Sequence, residues 1–219
     1  MTVGVESLTA QILRMLRDVE QVQYLEEDIH QLIHEAELFA VNQKIDLVTL
    51  RGSYFCESGS LQDISAGNLT PKPKKILSVE SNFGGKHITR LSRTEVENFG
   101  IDYRGLPESG VITGYVIDDR EDLVFETIPP ALPGTILEII YTPIPTPYTN
   151  VNGETKTNLP DDYYPYIVDF VLSRCFEEDE EGSANFARAS KHKNSALQFL
   201  GVTTQEELRV SPKNPRNDT

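Results

Sequence analysis

The sequence predicts an α+β fold, in which a helical domain built from both ends of the chain carries an inserted antiparallel β-domain of sandwich or barrel-like form. Apolar residues recur at helical spacing before residue 44 and again after residue 159, and short β-branched and aromatic runs lie between. Turn residues separate those runs. The expected boundaries are an N-terminal helix pair at 1–44, the β-domain at 45–147, a connector loop and helix hairpin at 148–202, and a C-terminal arm at 203–219.

Two amphipathic helices are expected at the N-terminal end of the chain. In the first, which Ser7 can cap, the apolar residues at helical spacing are Leu8, Ile12, Met15, Leu16 and Val19. The second is expected from about residue 24 to 41, with glutamates outside and with Leu25, Ile29, Leu32, Ile33, Ala36 and Ala40 facing inward. Two such helices in succession predict an antiparallel pair.

A pair of histidines on the second helix is the clearest candidate for chemistry. His30 and His34 lie one turn apart, which is a spacing that zinc proteases use. That motif also needs Glu directly after the first His, where this chain has Gln31, and no third ligand is near in sequence. We therefore expect surface histidines. A metal-dependent hydrolase that uses this pair with acidic residues is the alternative from the enzyme class.

The middle of the chain has the pattern of β-structure. The segments rich in β-branched and aromatic residues are 47–50, 54–56, 76–81, 87–91, 111–117, 123–127 and 135–141. Gly84 and Gly85 predict one turn, and the proline-rich stretch 129–134 interrupts before the last strand. Residues 94–97 have capping-box spacing, which predicts a brief helical turn. The acidic stretch 118–122 lacks the order of a calcium loop, so we interpret it as a polar hairpin tip.

The closing segment, residues 159–202, predicts two helices packed as a hairpin. Asp161 or Asp162 can cap the first helix, and Pro165 falls in its first turn, where a missing donor costs little. In the second helix, which Ser183 can cap and Gly201 can end, the expected stripe is Phe186, Ala189, Lys193, Ala196, Leu197 and Leu200. We interpret the acidic run 177–181 between them as a solvated junction rather than a metal site.

The first helix of this hairpin is apolar around most of its circumference. Such a helix needs neighbours on more than one side. Repeated contacts between identical copies can bury apolar surface that four helices of one chain leave uncovered. We therefore predict that Ile167, Phe170, Val171 and Phe176 lie at or near an assembly interface.

Composition excludes several classes of protein. The net charge of -14 argues against a conventional DNA-binding protein, because affinity for phosphates comes from Lys and Arg. No apolar run approaches the length that spans a bilayer, and the N-terminus lacks the pattern of a signal peptide, so we expect the protein to act where it is made. Cys56 and Cys175 stand alone among apolar or aromatic residues, which predicts reduced, buried thiols.

The closing segment also carries a resemblance. Its Leu-Pro-acidic opening at 159–162, the apolar helix, the acidic break and a helix spaced Asn185, Arg188, Ala189, Phe199 resemble the end of head-to-tail adaptor proteins of tailed bacteriophages, especially short-tailed ones. The order of segments along nearly the whole chain is similar too, as is the region 115–141 with its paired prolines. Relatives often carry tryptophans where this chain, which has none, has Tyr24 and Tyr103.

The resemblance implies a structural virion protein without catalytic, cofactor or metal sites. In that family, copies form a homo-oligomeric ring, usually of about twelve, that docks under the portal protein and receives the tail nozzle or tail tube protein. Such a ring lines the channel for genomic DNA in the neck of the virion, without a membrane, after assembly in the cytoplasm of the bacterial host. A channel through which a duplex slides gains from acidic walls that do not grip it.

The C-terminal arm has a composition of its own. Its last nine residues, 211–219, include Lys213 and Arg216 and no apolar residue besides two prolines. Because adaptors of this kind use terminal segments to reach the portal, Lys213 and Arg216 are the candidate portal contacts. A frayed terminus without a role is the alternative for the arm. For the whole chain, the alternative in the assembly class is another phage neck or tail-completion protein.

Overall fold

The computed structural model describes residues 4–98, 102–117, 120–178 and 183–202. The chain divides into two compact units, a helical unit from Met1–Lys44 and Pro147–Thr219 and a β-unit from Ile45–Thr146. The helices are α1 (Val5–Leu16), α2 (Glu26–Gln43), α3 (Arg93–Asn98), α4 (Tyr164–Glu178) and α5 (Ser183–Phe199). With two β-sheets in addition, the structure confirms the predicted α+β class.

The first two helices are shorter than predicted at the turn that joins them. Helix α1 follows Gly4 rather than Ser7 and ends at Leu16, so Val19 lies beyond it. Helix α2 begins at Glu26, and Leu25 is exposed instead of facing inward. The reason is Asp18, whose carboxylate accepts the backbone N–H groups of residues 22, 23 and 24 at 2.8–3.0 Å. These bonds lower the pKa of Asp18, and the bond from the N–H of residue 24 has the largest effect. They also stabilise a turn where the sequence predicted more helix.

Helix α4 lies at the centre of the helical unit. It begins at Tyr164 with Pro165 in its first turn, after a short 3₁₀ helix at Asp161–Tyr163. It contacts α1, α2 and α5, so that most of its apolar circumference is covered within one chain. Two tyrosine hydroxyls fix its position against α2 and the preceding turn: Tyr166 donates to the carbonyl of Ala36 at 2.8 Å, and Tyr24 donates to that of Cys175 at 2.7 Å.

Helix α5 packs beside α4 with a narrower stripe than predicted. Of the predicted stripe, Ala189 and Ala196 of the helix and Leu200 just after it are buried, whereas Lys193 is exposed and 75% of Phe186 is exposed. The spacing placed Phe186 on the stripe, but this position lies on the first turn of the helix, where nothing in the described chain covers it. Gly201 ends the helix with φ of 70°, as predicted.

The β-unit consists of two packed sheets. Its strands are β1 (Leu50–Phe55), β2 (Gly59–Asp63), β3 (Pro73–Asn82), β4 (Thr89–Arg90), β5 (Gly114–Ile117), β6 (Val124–Ala131) and β7 (Ile136–Pro143). The sheet orders are β1-β7-β3 and β2-β6-β5-β4, and all pairs are antiparallel except β4 with β5. Side chains from both sheets form one core, in which the rings of Tyr54 and Phe125 meet edge to face at 5.9 Å.

Several strand predictions were wrong in detail. The segments 47–50 and 54–56 contribute to the single strand β1, and β2 was missed. Strand β6 runs through the paired prolines to Ala131 instead of stopping before them. The capping box of α3 is formed by Ser92 and Glu95, not by residues 94 and 97: Glu95 accepts the backbone N–H of Ser92 at 2.7 Å, and the backbone N–H of Glu95 returns a bond at 3.2 Å.

A buried carboxylate organises the surface of the second sheet. Glu126 on β6 is 4% exposed and accepts two bonds from the Arg104 guanidinium at 2.8 and 2.9 Å, one from Arg93 at 3.0 Å and one from the hydroxyl of Tyr103 at 2.5 Å. The bonds from Arg104 hold the pKa of Glu126 below its usual range. Glu126 thereby ties the 3₁₀ helix Tyr103–Gly105 and α3 to the sheet.

Both cysteines are buried and free, one in each unit. Burial raises the pKa of the Cys56 thiol and of the Cys175 thiol to about 12. Thiols of this kind stay protonated at neutral pH and are poor nucleophiles.

A second buried carboxylate connects distant parts of the helical unit. Glu37 on α2 is 0% exposed. It accepts a bond from the Tyr148 hydroxyl at 2.6 Å, from the Asn158 backbone N–H at 2.8 Å and from the Asn158 side-chain amide at 2.6 Å. Burial nevertheless raises the pKa of the Glu37 carboxyl. These bonds anchor the loop by which the chain returns to the helices.

Replacing Glu37 with Gln should destabilise the protein by about 1–3 kcal/mol near neutral pH, because an amide offers one acceptor oxygen and meets Asn158 donors with its own N–H₂. Glu35→Gln, on the same helix but half-buried, is the matched control and should change the unfolding free energy by about 0.5 kcal/mol or less. Urea unfolding measures both.

The loss of stability caused by Glu37→Gln should depend on pH. Since the folded-state pKa of Glu37 is raised, the folded protein binds this proton more tightly than the unfolded chain, whose pKa is about 4.3. Its contribution to stability is therefore largest below that value and falls as pH rises through the folded-state pKa. The stability difference between wild type and Glu37→Gln should shrink from about pH 4 to about pH 7. A difference that grows over this interval would contradict the assignment.

Candidate assembly surface

The four residues predicted at an assembly interface fall into two groups. Ile167 and Val171 are 1% and 0% exposed and belong to the core of the helical unit. Phe170 and Phe176 are half-buried at its edge. Within a single chain, only the second pair has surface left for a neighbouring copy. That any of the four meets another copy stays a prediction.

Aromatic and cationic groups hold the two half-buried phenylalanines in place. The ring of Phe170 lies 5.6 Å from that of Phe39, and the Arg174 guanidinium lies 5.5 Å from its centroid. The ring of Phe176 stacks on His192 at 5.9 Å, with the Arg188 guanidinium at 5.8 Å. Both rings are therefore pre-positioned with part of their surface accessible.

Polar contacts hold α4 and α5 together beside these rings. Asp169 lies 2.7 Å from Nδ1 of His192 and accepts a bond from the Ser195 hydroxyl at 2.5 Å. Lys193 donates to Glu177 at 2.9 Å, and this contact lowers the pKa of the Glu177 carboxyl. The hairpin can thus present its outer face as one element.

The structure exposes three apolar residues that helical spacing had assigned to the two amphipathic helices, Met15, Val19 and Leu25, and in addition Val22. We call residues 15–25 the apolar turn, because Met15, Val19, Val22 and Leu25 are 48%, 63%, 86% and 57% exposed there. Arg17 and Gln21 have φ of 62° and 55°, a left-handed conformation that Asp18 stabilises through its three bonds to backbone N–H groups. For Val22 the only sequence signal was its isolated position between the glutamines at 21 and 23.

Other predicted residues have different outcomes. Lys213 and Arg216 lie outside the described residues, as do Asp118 and Asp119 of the acidic stretch. Asp122, which is described, forms an ion pair with Lys75 at 2.8 Å.

The prediction of surface histidines was wrong for His30. This side chain is 9% exposed, because α2 turns it toward the protein, and His34 is half-buried. Burial lowers the pKa of both imidazoles.

Across residues 4–98, 102–117, 120–178 and 183–202, no three His, Cys, Asp or Glu side chains are grouped so as to hold a metal ion. In the same residues, no helix combines the length and apolarity needed to cross a membrane.

Comparison with known proteins identifies the class. The sequence belongs with the structural adaptor proteins of bacteriophages, components of the virion neck that assemble with other neck proteins. The chain is a member of the SU10 adaptor protein family, whose sequence model matches residues 4–216. This match confirms the predicted relation to phage adaptors. Comparison with curated proteins gave no match.

Core and surface positions of the hairpin should respond differently to truncation. Ile167→Ala should reduce the unfolding free energy by about 2–5 kcal/mol, since it leaves a cavity in the core of the helical unit. Phe186→Ala should change it by about 0.5 kcal/mol or less, because the ring is mostly exposed. Chemical denaturation of the single chain measures both. A large loss from Phe186→Ala would show that this ring packs within the chain.

Proposed function

We propose that the protein is a head-to-tail adaptor that forms a closed ring of about twelve copies between the portal and the tail nozzle or tail tube. It acts by assembly and not by catalysis. The observation that carries the proposal is the family match over residues 4–216, which spans both units rather than one shared motif. In this proposal the segments 1–44 and 148–202 form the helical domain, 45–147 the inserted domain and 203–219 the arm.

The apolar surface of the helical unit supports contact between copies. The apolar turn lies on the connection between α1 and α2, whereas Phe186 and the half-buried Phe176 belong to the α4–α5 hairpin. Two different apolar patches suit a head-to-tail contact, in which one patch of each copy meets the other patch of the next. Such contacts generate a ring when the rotation between copies closes.

The charge of the chain supports a place beside passing DNA. With a net charge of -14, a ring of copies repels phosphates instead of binding them. DNA can then pass through the neck without specific binding. The virion neck is the site of action, and assembly takes place in the host cytoplasm.

The ring proposal is tested by mixing purified adaptor with the portal protein of the same phage and recording mass photometry and negative-stain images. We expect a portal-bound ring of adaptor copies. The double variant Val22→Ser with Phe186→Ser should weaken ring formation, because it removes exposed apolar area from both patches. Val111→Ser with Phe83→Ser removes similar exposed groups from the β-unit and is the matched control.

A chain that stays monomeric and never joins the portal would overturn the proposal. A discrete complex with a tail protein but none with the portal would favour a tail-completion protein instead. Equal assembly by both double variants would leave the ring intact and exclude the two apolar patches as its contacts.

The arm should contribute to portal docking through charge. Ending the chain after Val210, or replacing Lys213 and Arg216 with Gln, should weaken docking to an acidic portal surface and make its salt dependence shallower. Circular dichroism should show an unchanged fold. Docking that is unaltered across salt concentrations would leave the frayed terminus as the explanation of the arm.

A further inference from the structure

An acid-lined cleft in the helical unit has no part in the proposed ring contacts. Its volume is about 520 Å³. One wall carries Glu6 of α1 with Glu26, Glu27 and His30 of α2, and the other is the backbone and side chains of residues 148–151. We call this the acidic cleft. Three carboxylates along one wall of a concave site favour a positively charged occupant.

His30 gives the cleft a second feature besides its acids. The side chain is nine-tenths buried, yet its ring lines the cleft, and it makes no hydrogen bond to any described residue. Buried polar side chains usually have a partner. Burial lowers the pKa of His30 despite the neighbouring Glu26, Glu27 and Glu6, which favours the neutral form of this imidazole in the lining of the cleft.

The walls of the cleft are fixed before anything binds. The hydroxyl of Tyr148 is held by Glu37 at 2.6 Å. Further along the loop, the backbone of Thr155 accepts a bond from Val5 at 2.9 Å, and Gly4 pairs with Lys156 in a short antiparallel bridge. The loop is therefore anchored to α2 at one end and to the start of α1 at the other. A pre-organised site loses less entropy on binding than a mobile one.

The geometry narrows the kind of cation. Glu6, Glu26, Glu27 and His30 do not converge on a point in the way that ligands of a metal ion do, and no such group occurs among the residues that the structure describes. A guanidinium fits better, because its five donors can meet separated carboxylates and its plane can stack on a neutral imidazole. The volume exceeds that of one side chain and leaves room for adjoining main chain.

We propose that the acidic cleft binds an arginine side chain presented by an extended segment of a partner protein. A protein-borne arginine is favoured over a free polyamine by the ring of His30 and by the exposed loop at Thr149 and Asn150. The backbone of these two residues makes no backbone hydrogen bond within the described part of the chain, so it can pair with an extended segment. The site is complete in a single chain and needs no ring.

The test uses the full-length protein and three probes: the peptide acetyl-Gly-Arg-Gly-amide, the same peptide with citrulline in place of arginine, and spermidine. The readout is the NMR signal of the His30 ring, with the exposed His87 of the β-unit as an internal control. We expect a saturable shift of His30 with the arginine peptide, no shift of His87, and little response to the neutral citrulline peptide at equal ionic strength.

Variants identify the carboxylates. The double variant Glu26→Gln with Glu27→Gln should lower the affinity for the arginine peptide by about tenfold or more, since two charge-assisted contacts are lost. Both residues are exposed, so the fold should be unaffected, and Glu6→Gln provides a second, independent variant. Glu20→Gln with Glu121→Gln removes the same charge from exposed positions outside the cleft and should leave binding unchanged.

Three outcomes would overturn the proposal. The first is an absence of saturable His30 shifts with the arginine peptide. The second is equal binding by the citrulline peptide or by the Glu26 and Glu27 variant, which would show that charge does not direct binding. The third is tighter binding of spermidine than of the arginine peptide, which would make the cleft a polyamine site instead.

Discussion

The helical unit depends on Glu37, a carboxylate that is completely buried and joins segments from opposite ends of the chain. Its partners Tyr148 and Asn158 are 111 and 121 residues away in sequence. A carboxylate removed from water is tolerated only when hydrogen bonds replace its hydration, and here three donors do so. The constraint is mutual, because the loop carrying Tyr148 and Asn158 has a defined path only while Glu37 holds it. The helical unit therefore needs, for this arrangement, the segment that follows the β-unit in sequence.

Two tyrosine hydroxyls extend this constraint to the central helix. Tyr166 donates to a carbonyl one residue before Glu37, and Tyr24 donates to the carbonyl of Cys175, so α4 is fixed to α2 and its preceding turn near both ends. Each aromatic ring contributes apolar burial while its hydroxyl satisfies a backbone acceptor. The acidic cleft depends on the same arrangement, since one of its walls is α2 and the other begins at Tyr148. The hydrogen bonds that stabilise the helical unit thus also hold the walls of the acidic cleft.

Sequence patterns predicted the helices better than the tertiary contacts and burial of individual residues. Helical periodicity, Pro165 and Gly201 were sufficient for the α4–α5 hairpin, because these signals are local. Strand β2 was missed because its sequence is polar, and it is stabilised by Gln62, whose buried amide bonds the backbone around residues 57 and 59. Glu35 and Glu37 look alike in sequence, and only distant partners distinguish the half-buried Glu35 from the fully buried Glu37. Periodicity likewise could not show that His30 is covered.

The sequence also could not show how much of the apolar surface of α4 is covered by its own chain. The all-round apolar character of α4 was the argument for contacts between copies, yet three helices of its own chain cover most of it. Besides the partly exposed Phe170 and Phe176, exposed apolar surface occurs where local structure ends, at the apolar turn and at Phe186. Asp18 already orders that turn in the single chain, in spite of two residues with positive φ, so a contact there loses little conformational entropy. Buried residues such as Ile167 thus stabilise the fold, whereas the exposed Val22 contributes little to it. The contacts proposed between copies therefore fall on positions that the fold does not need.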